Sequence, residues 1–174
     1  QIDSLGLSES NVHWGTNDCS TQLYNTVQQG LQGSVAVTSN APISPSINSA
    51  YQPGGTAMIL HPNLSARVVT RHSDNLGRWC VITLKGRQNK TLLVLQVYQV
   101  PHHSNAGLAT AFAQQRSILR QQSRMSSPRE AFVEDLSNPQ GGIILMGDFN
   151  DDILRPNSKL GRLMDRTRLF DTHR

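Results

Sequence analysis

Asp148 and Asn150 stand two residues apart in "ILMGDFNDD", directly after the apolar run Ile143, Ile144, Leu145, Met146 and then Gly147. A buried strand ending in a turn explains this pattern, because Asp and Asn side chains bond nearby backbone in turns. A strand that delivers a carboxylate and an amide to a metal–phosphate site explains it as well. Two other apolar segments end on polar groups: "IDSLGL" runs into Ser8 and Glu9, and "LLVLQV" into Tyr98. Sheet-based sites gather residues distant in sequence at the ends of separate strands. If these three ends share one edge, they assemble two carboxylates, a phenol and an amide.

That inventory suits hydrolysis of a phosphate ester. Carboxylate oxygens bind Mg²⁺ or Mn²⁺, and Mg²⁺ keeps several waters while reaching a substrate phosphate. The ion neutralises charge that builds on phosphorus and the leaving oxygen. A second carboxylate orients or deprotonates the attacking water. An amide and a phenol donate to phosphoryl oxygens. Each residue also has a plainer account. Glu9 can be a capping or solvated acid, and Tyr98 a half-buried strand aromatic. Asp151 and Asp152 read as solvated or capping acids. His102 and His103 follow Pro101 in a loop, while His13 and Trp14 sit close enough to Glu9 to line the same rim.

The elements that must position these groups follow from periodicity. Leu23, Val27 and Leu31 recur at four-residue spacing, which predicts a helix over 21–31. Val35 and Val37 alternate as in a strand. Residues 39–55 are rich in Ser, Asn and Pro and read as a long surface loop. Segments 56–60 and 66–70 read as strands around a turn at His61-Pro62-Asn63. Segments 79–84 and 91–98 are the clearest strands, joined as a hairpin by "KGRQNK". Leu108, Ala111, Phe112, Gln115, Ile118 and Leu119 predict a helix over 108–122. A further helix is expected from Ser127, with Pro128 at its first position and Glu130 closing a capping box. The strand before Asp148 follows, then a helix carrying Leu160, Leu163 and Met164. Strand and helix do not alternate regularly, so the expected architecture is a layered α/β domain with partly antiparallel sheets and helices outside.

A chain of 174 residues with 37% hydrophobic and 16% charged residues is long enough to build a core of its own. No internal repeat or domain boundary is visible. No stretch reaches the ~18–20 apolar residues of a membrane span, and no signal peptide is present, which excludes a membrane partner from the expectation. Cys19 and Cys80 are far apart and not in a Cys-x-x-C arrangement, against a zinc site or a disulfide framework. A reducing, intracellular compartment is the default, with one Cys19–Cys80 bridge left open. Net charge is +4, and 13 of the 16 basic residues are Arg, whose planar fork suits phosphate oxygens. A nucleic-acid partner fits this balance; so does a bias in the composition of the gene. Lys159, Arg162 and Arg166 fall on one face of the last helix by three- and four-residue spacing, either a stripe that tracks phosphates or a solvated helix back.

These segments resemble the endonuclease/exonuclease/phosphatase family. "IDSLGLSES" resembles its segment ending in a metal-binding glutamate, "IILMGDFND" its Gly-Asp-Phe-Asn strand end, and "LLVLQVYQVP" the strand carrying its tyrosine. "GGTAMIL" resembles its second-strand Gly-Gly signature, and "DNLGRWCVITL" and "TRLFDTHR" stand in the expected order. Essentially the whole chain is covered. "GLSESNVHW" and "YQVPHHSNAGLATAFAQQRSIL" are nearest to members related to non-LTR retroelement endonucleases.

The resemblance implies a four-layer α/β sandwich of the DNase I-like type, with mixed, largely antiparallel sheets. It also implies divalent-metal phosphodiester hydrolysis, with DNA as the expected substrate and partner. Glu9 would bind Mg²⁺ (or Mn²⁺), Asp148 would orient or activate the water, Asn150 would hold a phosphoryl oxygen, and Tyr98 would contact the scissile phosphate. Arg78, Lys159, Arg162 and Arg166 are the candidate substrate-binding cations. A phosphatase or lipid phosphodiesterase on the same fold, or a non-catalytic nucleic-acid-binding remnant, are the alternatives. The family's N-terminal Asn and its C-terminal Ser-Asp-His have no counterpart in this stretch, Gln96 stands where an Asn is common, and Pro101 comes one residue late. The expectation is therefore a single partial domain, truncated at both ends and a weak catalyst alone, since losing one member of a cooperating site costs orders of magnitude.

Overall fold

A computed structural model describes residues 2–41, 52–101, 110–122 and 142–171. The first sheet contains β1 (Ser4–Ser8), β2 (Val35–Ser39) and β3 (Thr56–Leu60), with β3 in the middle and antiparallel to both neighbours. The second contains β4 (Val68–Ser73), β5 (Trp79–Lys85), β6 (Thr91–Tyr98) and β7 (Gly142–Asp148), in that order. Its pairings are antiparallel except β6 with β7, which is parallel and places Tyr98 opposite Asp148. The mixed, largely antiparallel α/β architecture matches the expectation, and the 79–98 segment forms the expected hairpin.

Alternation along the strands builds the sandwich. Met58 and Leu60 of β3 meet Cys80, Ile82 and Leu84 of β5 and Val94 of β6 in one buried cluster between the sheets. Removing each such side chain from water contributes roughly 1.5–3 kcal/mol. The intervening residues Val81, Leu95 and Val97 form a second cluster on the far face of the second sheet, with Ile143, Leu145 and Phe149 packed against it. Helix α1 (Asn17–Gly30) lies over the outer face of the first sheet, where Val27 and Leu31 face Leu5 and Ile59 across a cleft.

Caps moved several boundaries. α1 begins four residues before position 21 because the Thr16 hydroxyl accepts the Cys19 N–H. The turn at His61 is a short helix, α2 (Pro62–Ser65), with Pro62 in its first turn and the His61 ring nitrogen accepting from Asn63. β4 starts at Val68 and runs on to Ser73, later at both ends than expected. Helix α3 (Ala111–Gln121) starts under a Thr110 cap, and Leu119 packs on Leu76 in the β4–β5 connection. Helix α4 (Lys159–Thr167) buries Leu160 and Leu163. Residues 42–51 of the expected loop, Leu108, His102, His103 and the helix expected from Ser127 lie outside the described residues. Among the described residues, no helix is long and apolar enough to cross a membrane.

Candidate active site

The ends of β1, β6 and β7 meet at one atom, the Ser8 hydroxyl oxygen. It donates to the Val97 carbonyl at 2.7 Å, accepts from the Gln96 side-chain amide at 2.7 Å, and accepts from the Asp148 backbone N–H at 3.0 Å. The strand ends carrying Glu9, Tyr98 and Asp148 are thereby brought to one edge.

Beyond Ser8 the chain turns sharply: Glu9 and Asn11 both adopt left-handed backbone, at φ 51° and 52°. Such a conformation is uncommon for a non-glycine residue and needs support from its surroundings. The support comes from Gly54 and Gly55. Ser10 and Asn11 donate backbone N–H groups to Gly55 and Gly54, and the Asn11 side chain accepts the Gly54 N–H at 3.0 Å. A side chain on Gly55 would come within 2.9 Å of the Ser10 hydroxyl, which also takes the Trp14 indole N–H at 2.8 Å. The Gly-Gly pair therefore serves the Glu9 turn, which leaves the Glu9 side chain in solvent.

Asp148 is exposed at the end of β7. Its carboxylate accepts twice from Asn150, from the backbone N–H at 3.0 Å and from the side-chain Nδ2 at 3.1 Å. Asn150 Nδ2 also donates to the Gln99 carbonyl at 2.9 Å. An amide nitrogen has two hydrogens, and these two bonds use both. The Asn150 nitrogen thus holds the Asp148 carboxylate against the β6 end. Asp151 accepts from the Ser158 hydroxyl and the Leu160 N–H, both at 3.2 Å, and so ties the start of α4 to the same strand end.

Two further site expectations meet buried side chains. Tyr98 is only 2% exposed, and its ring lies beneath Gly54, where an added Cβ would stand 3.6 Å from it. The Tyr98 ring is therefore packed into the floor of the edge. Arg78 is 3% exposed, and its Nε donates to Asp74 at 2.6 Å. Asp74 also accepts from the Ser39 hydroxyl at 2.6 Å and the Arg78 N–H at 2.9 Å, so this pair braces β2 against the β4–β5 connection and is not an open substrate cation. Arg162 and Arg166 are exposed on α4, and Lys159 is half-buried at its first turn.

Mg²⁺ is satisfied by one or two carboxylates completed by water. The solvent-facing carboxylates of Glu9 and Asp148, on adjoining strand ends, fit that donor set. Among the described residues no group of three or more His, Cys, Asp or Glu side chains is gathered as a closed transition-metal site would need. Both cysteines are free, which settles the open Cys19–Cys80 question; burial chiefly, with the Asp74 charge, pushes the Cys80 thiol up to about 12.

Ser8 and Gln99 went unrecognised as site residues in the sequence, and Gln96 was noted only as a departure where an Asn is common. The signal for Ser8 was its place between an apolar run and Glu9; Gln99 acts through its backbone carbonyl, which no side-chain motif reveals.

No family model matches this chain, and no curated protein does. It is similar to solved structures at low identity. One is the human Nocturnin catalytic domain with bound sulfate anion, at 18% identity and TM-score 0.48, covering 97% of this chain and 58% of that one. Another is a mutant beta toxin from Staphylococcus aureus with bound magnesium ions, at 13% identity and TM-score 0.49, covering 98% and 59%. A third is sphingomyelinase C from Streptomyces griseocarneus, at 13% identity and TM-score 0.44, covering 95% and 57%. The chain thus spans less than two thirds of the length of each of these structures.

Proposed function

We propose that this chain carries the site of a Mg²⁺-dependent phosphodiester hydrolase that acts on DNA as an endonuclease. The observation that supports it is the meeting of the β1 and β7 ends at Ser8, which presents Glu9 and Asp148 to solvent on one edge. Glu9 would hold the metal, and Asp148 would complete its carboxylate donor set. When bound, Mg²⁺ supplies positive charge to the phosphoryl group and the leaving oxygen. Asp148 orients the attacking water and accepts its proton. Asn150 keeps the Asp148 carboxylate in one orientation, so that its lone pairs are already aimed when substrate arrives. Arg162 and Arg166, on the helix that Asp151 ties to the strand end, track the phosphate backbone of DNA.

The test is nicking of supercoiled plasmid by the full-length protein in Mg²⁺, with Asp148→Ala as control. Cutting that stops in the variant and in EDTA is the expected result; equal cutting by both proteins would overturn the reading. Turnover of sphingomyelin or of an inositol phosphate in place of plasmid nicking assigns the same edge to a lipid or small-molecule phosphoesterase. DNA binding with no hydrolysis of any of these assigns a non-catalytic remnant.

A further inference from the structure

We infer that the Ser8 hydroxyl is a positioning residue of this edge: it sets where Asp148 stands relative to Glu9. The inference rests on the metal-site reading above. A serine hydroxyl has one hydrogen and two lone pairs. Here all three are engaged, and every partner lies in the second sheet while Ser8 ends a strand of the first. One oxygen therefore couples the sheet that carries Glu9 to the strand that carries Asp148.

Two glycines make room for this joint. Gly147 adopts φ 137°, and a Cβ there would fall 2.0 Å from the Val97 carbonyl oxygen, the atom to which Ser8 donates. A Cβ on Gly6 would fall 1.7 Å from the Gln96 side-chain oxygen, so any larger residue there must displace the Gln96 side chain from its present path to Ser8. Three positions in three strands are thus arranged around one hydroxyl. Among the described residues, β7 pairs within the second sheet with β6 alone. Its last residue is exposed, so the bond from Asp148 N–H to Ser8 is a tie across the sheets that the sheet's own ladder does not supply. With alanine at position 8, the Asp148 N–H loses this acceptor, and the Gln96 amide keeps only the longer 3.5 Å bond to the Val97 carbonyl. The end of β7 then moves independently of Glu9.

The experiment compares Ser8→Ala and Ser8→Thr with the wild type and Asp148→Ala in the full-length protein. It follows amide hydrogen exchange at Asp148 by NMR, Mn²⁺ affinity by EPR, and the urea midpoint. Ser8→Ala should speed exchange at Asp148 while amides in the middle of β6 keep their protection. It should also weaken Mn²⁺ binding about 10–100-fold, the usual effect of removing a group that orients a metal ligand, and Ser8→Thr should restore both. If Ser8→Ala does not fold, Ser8→Cys carries the same measurement, because a thiol is a weak donor and acceptor. Mn²⁺ affinity unchanged in Ser8→Ala but lost in Asp148→Ala overturns the Ser8 inference alone. A lowered urea midpoint with unchanged Mn²⁺ affinity does the same. Equal Mn²⁺ binding by wild type and Asp148→Ala overturns the metal-site reading and this inference with it.

Discussion

The Ser8 hydroxyl oxygen and the Asp148 backbone nitrogen lie 3.0 Å apart, across 140 residues of sequence. The contact joins the two stacked sheets, since Ser8 ends β1 and Asp148 ends β7. The geometry of the edge is therefore a consequence of the sandwich core, in which Met58 and Leu60 lock against Ile82 and Leu84. The packing of the two sheets places the carboxylates.

Asn150 is expected to matter through Asp148. Its Nδ2 and backbone N–H both hold the Asp148 carboxylate. Asn150→Ala removes the side-chain bond and the tie to Gln99, leaving the carboxylate held by the backbone N–H of residue 150. Plasmid nicking should fall about 10–100-fold, as for other losses of an orienting partner. Asp148→Asn, which removes the proton acceptor itself, should cost about 10²–10⁴-fold. Side-by-side nicking rates, with urea midpoints to show that both variants fold, check the order. Equal losses would mean that Asn150 touches the substrate directly.

Gly147 should resist any side chain. Its φ of 137° lies where L-residues are rarely found, and the Val97 carbonyl occupies the space of a Cβ. Backbone strain of about 1–3 kcal/mol adds to the displacement of a main-chain atom. Gly147→Ala is expected to destabilise by roughly 3 kcal/mol or more. Gly30, with nothing within 4 Å of its would-be Cβ and an ordinary φ, is the control. Gly30→Ala should instead stabilise α1 by about 0.5–1 kcal/mol. Urea denaturation of the two variants decides it.

How much of this the sequence revealed depends on the range of the contact. The ends of β1, β6 and β7 were legible because each apolar run stops at a polar residue, a local signal. The start of α1 was missed because Thr16, outside the apolar stripe, supplies the cap. Tyr98, Asn150 and Arg78 were legible as residues but not as states. Tyr98 is closed over by Gly54, and Asn150 is claimed by a carbonyl 51 positions away. Arg78 is the case with a usable hint: Asp74 lies four residues before it, a spacing that a compact turn can close into a pair.

The cations divide accordingly. Arg162 and Arg166 are exposed, while Arg78 is buried on Asp74. Arg162→Ala with Arg166→Ala should weaken DNA binding and lower the slope of log K against log salt by about 1.8 in magnitude, from two lost phosphate contacts. Stability should barely change. Arg78→Ala should instead destabilise by about 3–5 kcal/mol by leaving the Asp74 carboxylate buried without its partner. Salt titrations of DNA binding and urea curves separate the two classes. A changed salt slope for a folded Arg78→Ala would return that residue to the substrate face.

Cys80 gives the fold an alkaline limit. Its thiol is raised from 9.0 to about 12, chiefly by burial between the sheets. The unfolded chain therefore releases this proton near pH 9 while the folded chain holds it. Between those values the unfolded state binds fewer protons, so stability must fall as pH rises. The contribution is complete below pH 9 and is lost through the window up to about 12, with a limiting slope of about 1.4 kcal/mol per pH unit. Tyrosines and lysines titrate in the same range, so the informative quantity is a difference. Cys80→Val keeps an apolar side chain in the cluster and removes the ionisable group. Urea midpoints measured from pH 7.5 to 10.5 should show a constant offset between wild type and variant at the lower end. The offset should then drift in favour of the variant as pH climbs, while iodoacetamide labels the half-buried Cys19 well before Cys80. Parallel curves across the whole range would show that the Cys80 thiol does not feel its burial.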